Sequence, residues 1–302
     1  MTDYAAMLSG IFTALVTPFK GDDVDYPTYD ALVERQIEAG IAGLVPVGTT
    51  GEAATLSDAE ANALIARTVK LAAGRTVVMA GAGANNTRTA IDKAIAAEKA
   101  GADMLLVVTP YYNKPTQAGL IAHYQAVAAA TRLPIMLYSV PGRCGVEIAA
   151  ETCKAILDTC PNVVAIKEAG GSVERITQLR LACGDRLAIH SGDDALTLPF
   201  LALGARGVTS VVANYAPRPM VALVEAWHSG DRARALALHD QLSELTRSMF
   251  IEANPGPVKA ALAHANLASA GLRLPLVEMS AINHQSLVST LERFSAAMPG
   301  FQ

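Results

Sequence analysis

Short apolar runs rich in Val, Ile and Leu alternate along this chain with longer Ala- and Leu-rich stretches of helical period. The runs begin near Ile11, Gly43, Thr76, Ala102, Leu133, Val163, Leu187 and Gly207, at a spacing of about 28 residues, which suits a repeated strand–helix unit. Val163-Val164-Ala165-Ile166 is apolar at four successive positions, the pattern of a strand covered on both faces, as strands of a parallel sheet are. Three helical stretches end alike, in Glu38-Ala39-Gly40, Lys99-Ala100-Gly101 and Leu203-Gly204. Each puts a glycine where a helix needs a left-handed residue before a short turn into the next strand. Eight such units in series predict an α/β chain folded as a (β/α)8 TIM barrel over residues 1–228. The helical pattern of 229–302 is surplus to the barrel and predicts an appended C-terminal helical subdomain. A doubly wound sheet would need a nucleotide-binding glycine fingerprint after its first strand. Gly81-Ala82-Gly83-Ala84-Asn85-Asn86 follows the third strand and has no third glycine.

In a parallel barrel, reactive groups gather at the carboxyl ends of the strands. Those ends carry Thr17-Pro18, Gly48-Thr49-Thr50-Gly51-Glu52, Gly83-Ala84-Asn85-Asn86, Thr109-Pro110-Tyr111-Tyr112-Asn113, Tyr138-Ser139-Val140-Pro141-Gly142-Arg143, Lys167-Glu168, Ser191-Gly192-Asp193-Asp194 and Ser210-Val211-Val212-Ala213-Asn214. Hydroxyls and amides dominate, with one lysine and one arginine. A lysine delivered by an apolar strand to the rim is placed to condense with a ketone, and the imine then loses an α-proton to give an enamine nucleophile. Each proton needs a carrier within hydrogen-bond reach, a role that tyrosine and threonine hydroxyls fill. Tyr138 lies one strand before Lys167 at the same rim level and is the expected partner. Gly48-Thr49-Thr50-Gly51 offers successive backbone N–H groups and two hydroxyls to a carboxylate. From residue types alone other readings stay open. Lys167 also fits a strand-end ion pair, the glycine loop an ordinary turn, Tyr111 and Tyr112 packing aromatics, and Arg143 a solvated surface charge. Glu168 is expected to orient its loop.

Composition narrows the setting. With 302 residues, 51% hydrophobic content and a net charge of −4, the chain has no basic run for nucleic acid or an anionic membrane. It also lacks a stretch long enough for a membrane span, and its first residues have no basic leader pattern. A cytoplasmic home is expected. Cys144, Cys153, Cys160 and Cys183 occur without CxxC spacing and are expected as thiols. The six scattered histidines form no ligand motif, so no metal is expected.

Gly48-Thr49-Thr50-Gly51-Glu52, Tyr138-Ser139-Val140-Pro141-Gly142-Arg143, Ile166-Lys167-Glu168-Ala169 and Asn254-Pro255-Gly256-Pro257-Val258-Lys259 together resemble the dihydrodipicolinate synthase family. That family belongs to the N-acetylneuraminate lyase superfamily of Schiff-base barrel enzymes, and the likeness runs from about residue 10 to the region of Lys259. The resemblance implies condensation of pyruvate with L-aspartate 4-semialdehyde through a covalent Schiff base on Lys167, without a separate cofactor. It implies a hydroxyl relay of Thr49, Tyr112 and Tyr138, with Tyr112 reaching the neighbouring subunit's site. Thr50 would hold the pyruvate carboxylate, Arg143 the carboxylate of the aldehyde substrate, and Gly192 and Thr209 would line the pocket. The implied assembly is a homotetramer built as a dimer of dimers.

The chain departs from the family pattern at Ser139, where Asn is more frequent, at Cys144 for Thr, and at Thr209 for an aliphatic residue. Asp58, Ala61 and Thr89 stand where some bacterial members carry the histidines and glutamate of an inhibitory lysine site, although Asn85 and Tyr111 are kept. Weak or absent inhibition by L-lysine is expected. A sister aldolase or dehydratase acting on N-acetylneuraminate or a 2-keto-3-deoxy sugar acid would share Lys167 and Tyr138. Arg143 and the Gly-Thr-Thr-Gly-Glu loop favour the amino-acid substrate over a polyol. A non-catalytic keto-acid sensor would need no complete relay, and a barrel without any ligand would need no reactive Lys167.

Overall fold

All eight apolar runs form strands in the computed structural model, which describes residues 4–300. They are β1 (Gly10–Ala14), β2 (Gly43–Val45), β3 (Val77–Gly81), β4 (Met104–Val108), β5 (Ile135–Ser139), β6 (Val163–Glu168), β7 (Ala188–Ser191) and β8 (Gly207–Ser210). Their hydrogen-bonded order, β1-β8-β7-β6-β5-β4-β3-β2, closes into a barrel. Helices follow the strands in the TIM-barrel manner, and a separate two-stranded hairpin joins Phe19–Lys20 to Asp23–Val24. Gly40, Gly101 and Gly204 adopt φ of +81°, +88° and +94°, the left-handed exits that their places after helical stretches predict. Among the described residues no helix is long and apolar enough to cross a membrane.

The chain divides into two compact units. One contains Val77–Thr209 with Tyr4–Ser9 of the described residues, and holds β3 to β7 and most of β8. Its strands are parallel and pair in sequence order. β6 is buried at all six positions, which explains its unbroken apolar approach to Lys167. The flanking helices start on side-chain caps. Asn86 accepts from the N–H groups of Arg88 and Thr89, and Thr116 accepts from Gly119 N–H, each supplying an acceptor for a backbone donor that the first turn leaves unpaired.

The other unit contains Gly10–Thr76 and the described residues from Ser210 to Gly300. β1 and β2 pair in parallel with Phe12 opposite Gly43, and a Cβ at position 43 would lie 2.2 Å from the Phe12 ring. Gly43 thus admits the aromatic ring into the core. The helix Asp58–Ala72 begins with a capping box, Ser57 and Glu60 each satisfying the other's backbone N–H. Of the final helices, Ala281–Ala297 packs on both Arg232–Ser248 and Gly256–His264, and Arg232–Ser248 also packs on Pro217–His228. Leu242, Leu245, Val258, Leu262, Leu287 and Leu291 bury the contact faces.

Candidate active site

In the first unit, neighbouring strands deliver the residues of interest in register. Tyr138 on β5 is opposite Lys167 on β6, and Lys167 is opposite His190 on β7. Paired residues on adjacent strands project to the same face. Lys167 Nζ lies 4.3 Å from the centroid of the Tyr138 ring, and each residue is only 6% exposed. No ion pair to Lys167 occurs among the described residues. The adjoining carboxylate is otherwise engaged: Glu168 accepts from Gly170 N–H at 2.7 Å and faces the Arg175 Nε at 3.3 Å. Burial raises the Glu168 carboxyl above its usual range, while the Arg175 charge and the Gly170 N–H oppose that shift. Arg175 is itself buried and also donates to the Ile148 carbonyl. This cluster fixes the turn after β6, the orienting role expected of Glu168, and leaves the lysine on the opposite face of the strand.

Gly192 lies where the Lys167 side chain needs room. A Cβ there would be 3.0 Å from Lys167 Cε and 2.6 Å from Ala169 Cβ. Thr209 is buried on β8 and hydrogen-bonds to His190 Nδ1 at 3.2 Å, and His190 Nε2 reaches the Leu8 carbonyl at 2.6 Å. Arg143 lies in the short helix Pro141–Cys144 that follows β5, and is exposed. Tyr112 stands apart from the buried Tyr138–Lys167 pair: it is 90% exposed and holds φ of +74°, a backbone region unusual for an aromatic residue. Nearby, Asn113 donates to the Asn85 carbonyl at 2.9 Å.

The second unit builds the threonine loop. After β2, Glu52 N–H bonds to the Thr49 carbonyl at 3.1 Å and Ala53 N–H to the Gly48 carbonyl at 3.2 Å, and Thr17 Oγ1 donates to the Gly51 carbonyl at 2.8 Å. Thr50 is buried and Thr49 half-buried. Asn254 Nδ2 donates to Thr50 Oγ1 at 2.9 Å, so the Thr50 hydroxyl keeps its own proton for donation to a bound acceptor. Lys259 Nζ is 2.6 Å from Glu52 Oε1, both side chains fully enclosed, and Glu52 Oε2 accepts from Arg273 N–H at 3.1 Å. Lys259 also lies 4.3 Å over the Phe19 ring. Burial lowers the Lys259 ammonium below its ordinary value, opposed by the Glu52 carboxylate. The Asn254-to-Lys259 segment therefore props the threonine loop at two points.

The family model for the dihydrodipicolinate synthetase family matches residues 7–294. The chain belongs to that family. Among relatives of this dihydrodipicolinate synthetase family member, a 4-hydroxy-tetrahydrodipicolinate synthase of Magnetococcus marinus is 50% identical over 281 residues, covering 93% of this chain and 96% of that one. One from Sorangium cellulosum is 50% identical over 291 residues, with 96% and 97% covered. The solved structure of the 4-hydroxy-tetrahydrodipicolinate synthase from Methylacidiphilum fumariolicum SolV superposes with a TM-score of 0.95 at 46% identity, covering 97% of this chain and 98% of that one. Sequence reading found Lys167 and Tyr138 as a pair and the Asn254-to-Lys259 motif as a family mark. It missed Arg175, His190 and the structural tasks of Asn254 and Lys259. Only a buried charge within an otherwise apolar helical face marks Arg175 and Lys259 in sequence.

Proposed function

We propose that this chain condenses pyruvate with L-aspartate 4-semialdehyde to give 4-hydroxy-tetrahydrodipicolinate, the entry step of lysine and diaminopimelate synthesis, acting as a lyase through a Schiff base on Lys167. The observation that carries the reading is the Lys167 amine, enclosed against the Tyr138 ring at 4.3 Å with no carboxylate paired to it among the described residues. Family membership and the names of the relatives support the choice of substrates.

The amine adds to the pyruvate ketone to form a carbinolamine. A proton carried by Tyr138 releases the oxygen as water and leaves an iminium. Loss of a methyl proton gives the enamine, whose carbon attacks the aldehyde, and the aldehyde oxygen takes a proton to become the product hydroxyl. The substrate's own amine then adds to the iminium carbon, displaces Lys167 and closes the ring, so one water leaves per turnover. Thr50, with its proton available and its oxygen held by Asn254, is assigned to the pyruvate carboxylate. The resemblance assigns Thr49 to the relay, Arg143 to the second carboxylate, and Gly192 and Thr209 to the pocket wall. Tyr112, exposed on its own chain, is assigned to a neighbouring subunit's relay within a cytoplasmic homotetramer. Residues 229–302 form the appended helical part.

Borohydride reduction in the presence of pyruvate, read by intact mass, tests the chemistry. One adduct in the wild type and none in Lys167→Ala is expected, and absence of the wild-type adduct would overturn the reading. Turnover with aspartate semialdehyde, set against N-acetylneuraminate and 2-keto-3-deoxy sugar acids, tests the substrate.

A further inference from the structure

His190 is fully buried at the level of Lys167, yet the reaction above gives it no task. Its two ring nitrogens are both engaged, and their partners fix its protons. The Leu8 carbonyl only accepts, so Nε2, 2.6 Å away, must carry hydrogen. Burial pushes His190 down to about 4, helped by the Lys167 charge and opposed by the bond to Leu8, so the ring is neutral at ordinary pH and Nδ1 presents a lone pair. The Thr209 hydroxyl, 3.2 Å from Nδ1, is therefore the donor. Its proton is committed away from the site, while its oxygen receives no hydrogen bond among the described residues.

The strand register puts this oxygen on the reactive face. His190 is opposite both Lys167 and Gly207, and Thr209, two residues beyond Gly207, projects to the same side. Lys167 Nζ likewise has no hydrogen-bond acceptor among the described residues. A buried acceptor without a donor and an amine without an acceptor thus line one face, two strands apart.

Building on the Schiff-base reading, we propose that His190 is a positioning residue that makes Thr209 an acceptor-only wall of the keto-acid pocket, set to receive the N–H of the Lys167 iminium. The same lone pairs repel a carboxylate, so pyruvate is seated with its carboxylate away from Thr209.

The test combines a spectrum with a trapping series. Nitrogen-15 NMR of the histidine-labelled protein should show His190 as the neutral Nε2–H tautomer at neutral pH; an Nδ1–H tautomer would overturn the proposal. In borohydride trapping, Thr209→Val, which keeps the shape and loses the acceptor, should raise the pyruvate concentration for half-maximal adduct by roughly tenfold or more. Thr209→Ser should stay near the wild type. His190→Gln, whose amide can donate to Leu8 and accept from Thr209, should also stay near it, whereas His190→Leu should match Thr209→Val. The double variant His190→Leu/Thr209→Val should be no worse than either single change, since one interaction is lost in all three. Additive penalties, or wild-type trapping in Thr209→Val, would sink the inference while a normal wild-type adduct left the parent reading intact. A wild type that forms no adduct would instead remove the parent reading itself.

Discussion

Replacing Tyr138 by Phe removes one oxygen and keeps the ring against which Lys167 lies. Proton transfer by a placed side chain contributes roughly 10² to 10⁴ in rate, so Tyr138→Phe should lower kcat by about that factor while a slow pyruvate adduct still forms. A coupled steady-state assay beside adduct mass spectrometry checks both halves. His190 makes a prediction about stability. Its folded value of about 4 lies below the ordinary 6.5, so between these limits the unfolded chain binds more protons than the folded one. Its contribution is present above pH 6.5 and is lost as pH falls toward 4, an amount on the order of 3 kcal/mol. Urea unfolding at pH 7.5 and pH 5 should show about 2 kcal/mol of that loss in the wild type and a smaller one in His190→Gln.

At the scale of elements, two substitutions separate packing from charge. Gly43→Ala forces a methyl into the Phe12 ring, which lies 2.2 Å from the added carbon, and should cost about 1 to 3 kcal/mol in urea unfolding. Lys259→Met leaves Glu52 buried with its closest cation gone and should cost about 3 to 5 kcal/mol. It should also weaken pyruvate capture, because Glu52 anchors the loop that carries Thr50. The elements themselves were legible in the sequence. Every strand begins within two residues of its apolar run, because parallel strands covered on both faces write hydrophobicity continuously. The hairpin Phe19–Lys20 with Asp23–Val24 was not legible, since two-residue strands carry no period. Lys167 and Tyr138 could be paired from strand order alone. The bonds of Asn254 to Thr50 and His190 to Leu8 could not, as they join positions 204 and 182 residues apart and only folding brings them together.

At the scale of the whole molecule, an exposed Tyr112 with left-handed backbone makes sense when a second chain covers it. If the tetramer supplies the relay, specific activity should fall on dilution in step with dissociation followed by sedimentation velocity, and Tyr112→Phe should lower turnover in the intact assembly. On the family resemblance Asp58, Ala61 and Thr89 replace the histidines and glutamate of an inhibitory lysine site, while Asn85 and Tyr111 are kept, so L-lysine is expected not to half-inhibit at sub-millimolar concentration in the same assay. The props of the threonine loop have a consequence for how the protein is made. Thr50 and Glu52 are translated early, but Asn254 and Lys259 emerge from the ribosome some two hundred residues later, and until then Thr50 lacks its partner and Glu52 its counter-charge. A nascent or prematurely terminated chain that stops before Asn254 therefore carries the threonine loop without either prop. The threonine loop is therefore completed only when the last sixth of the chain has been made.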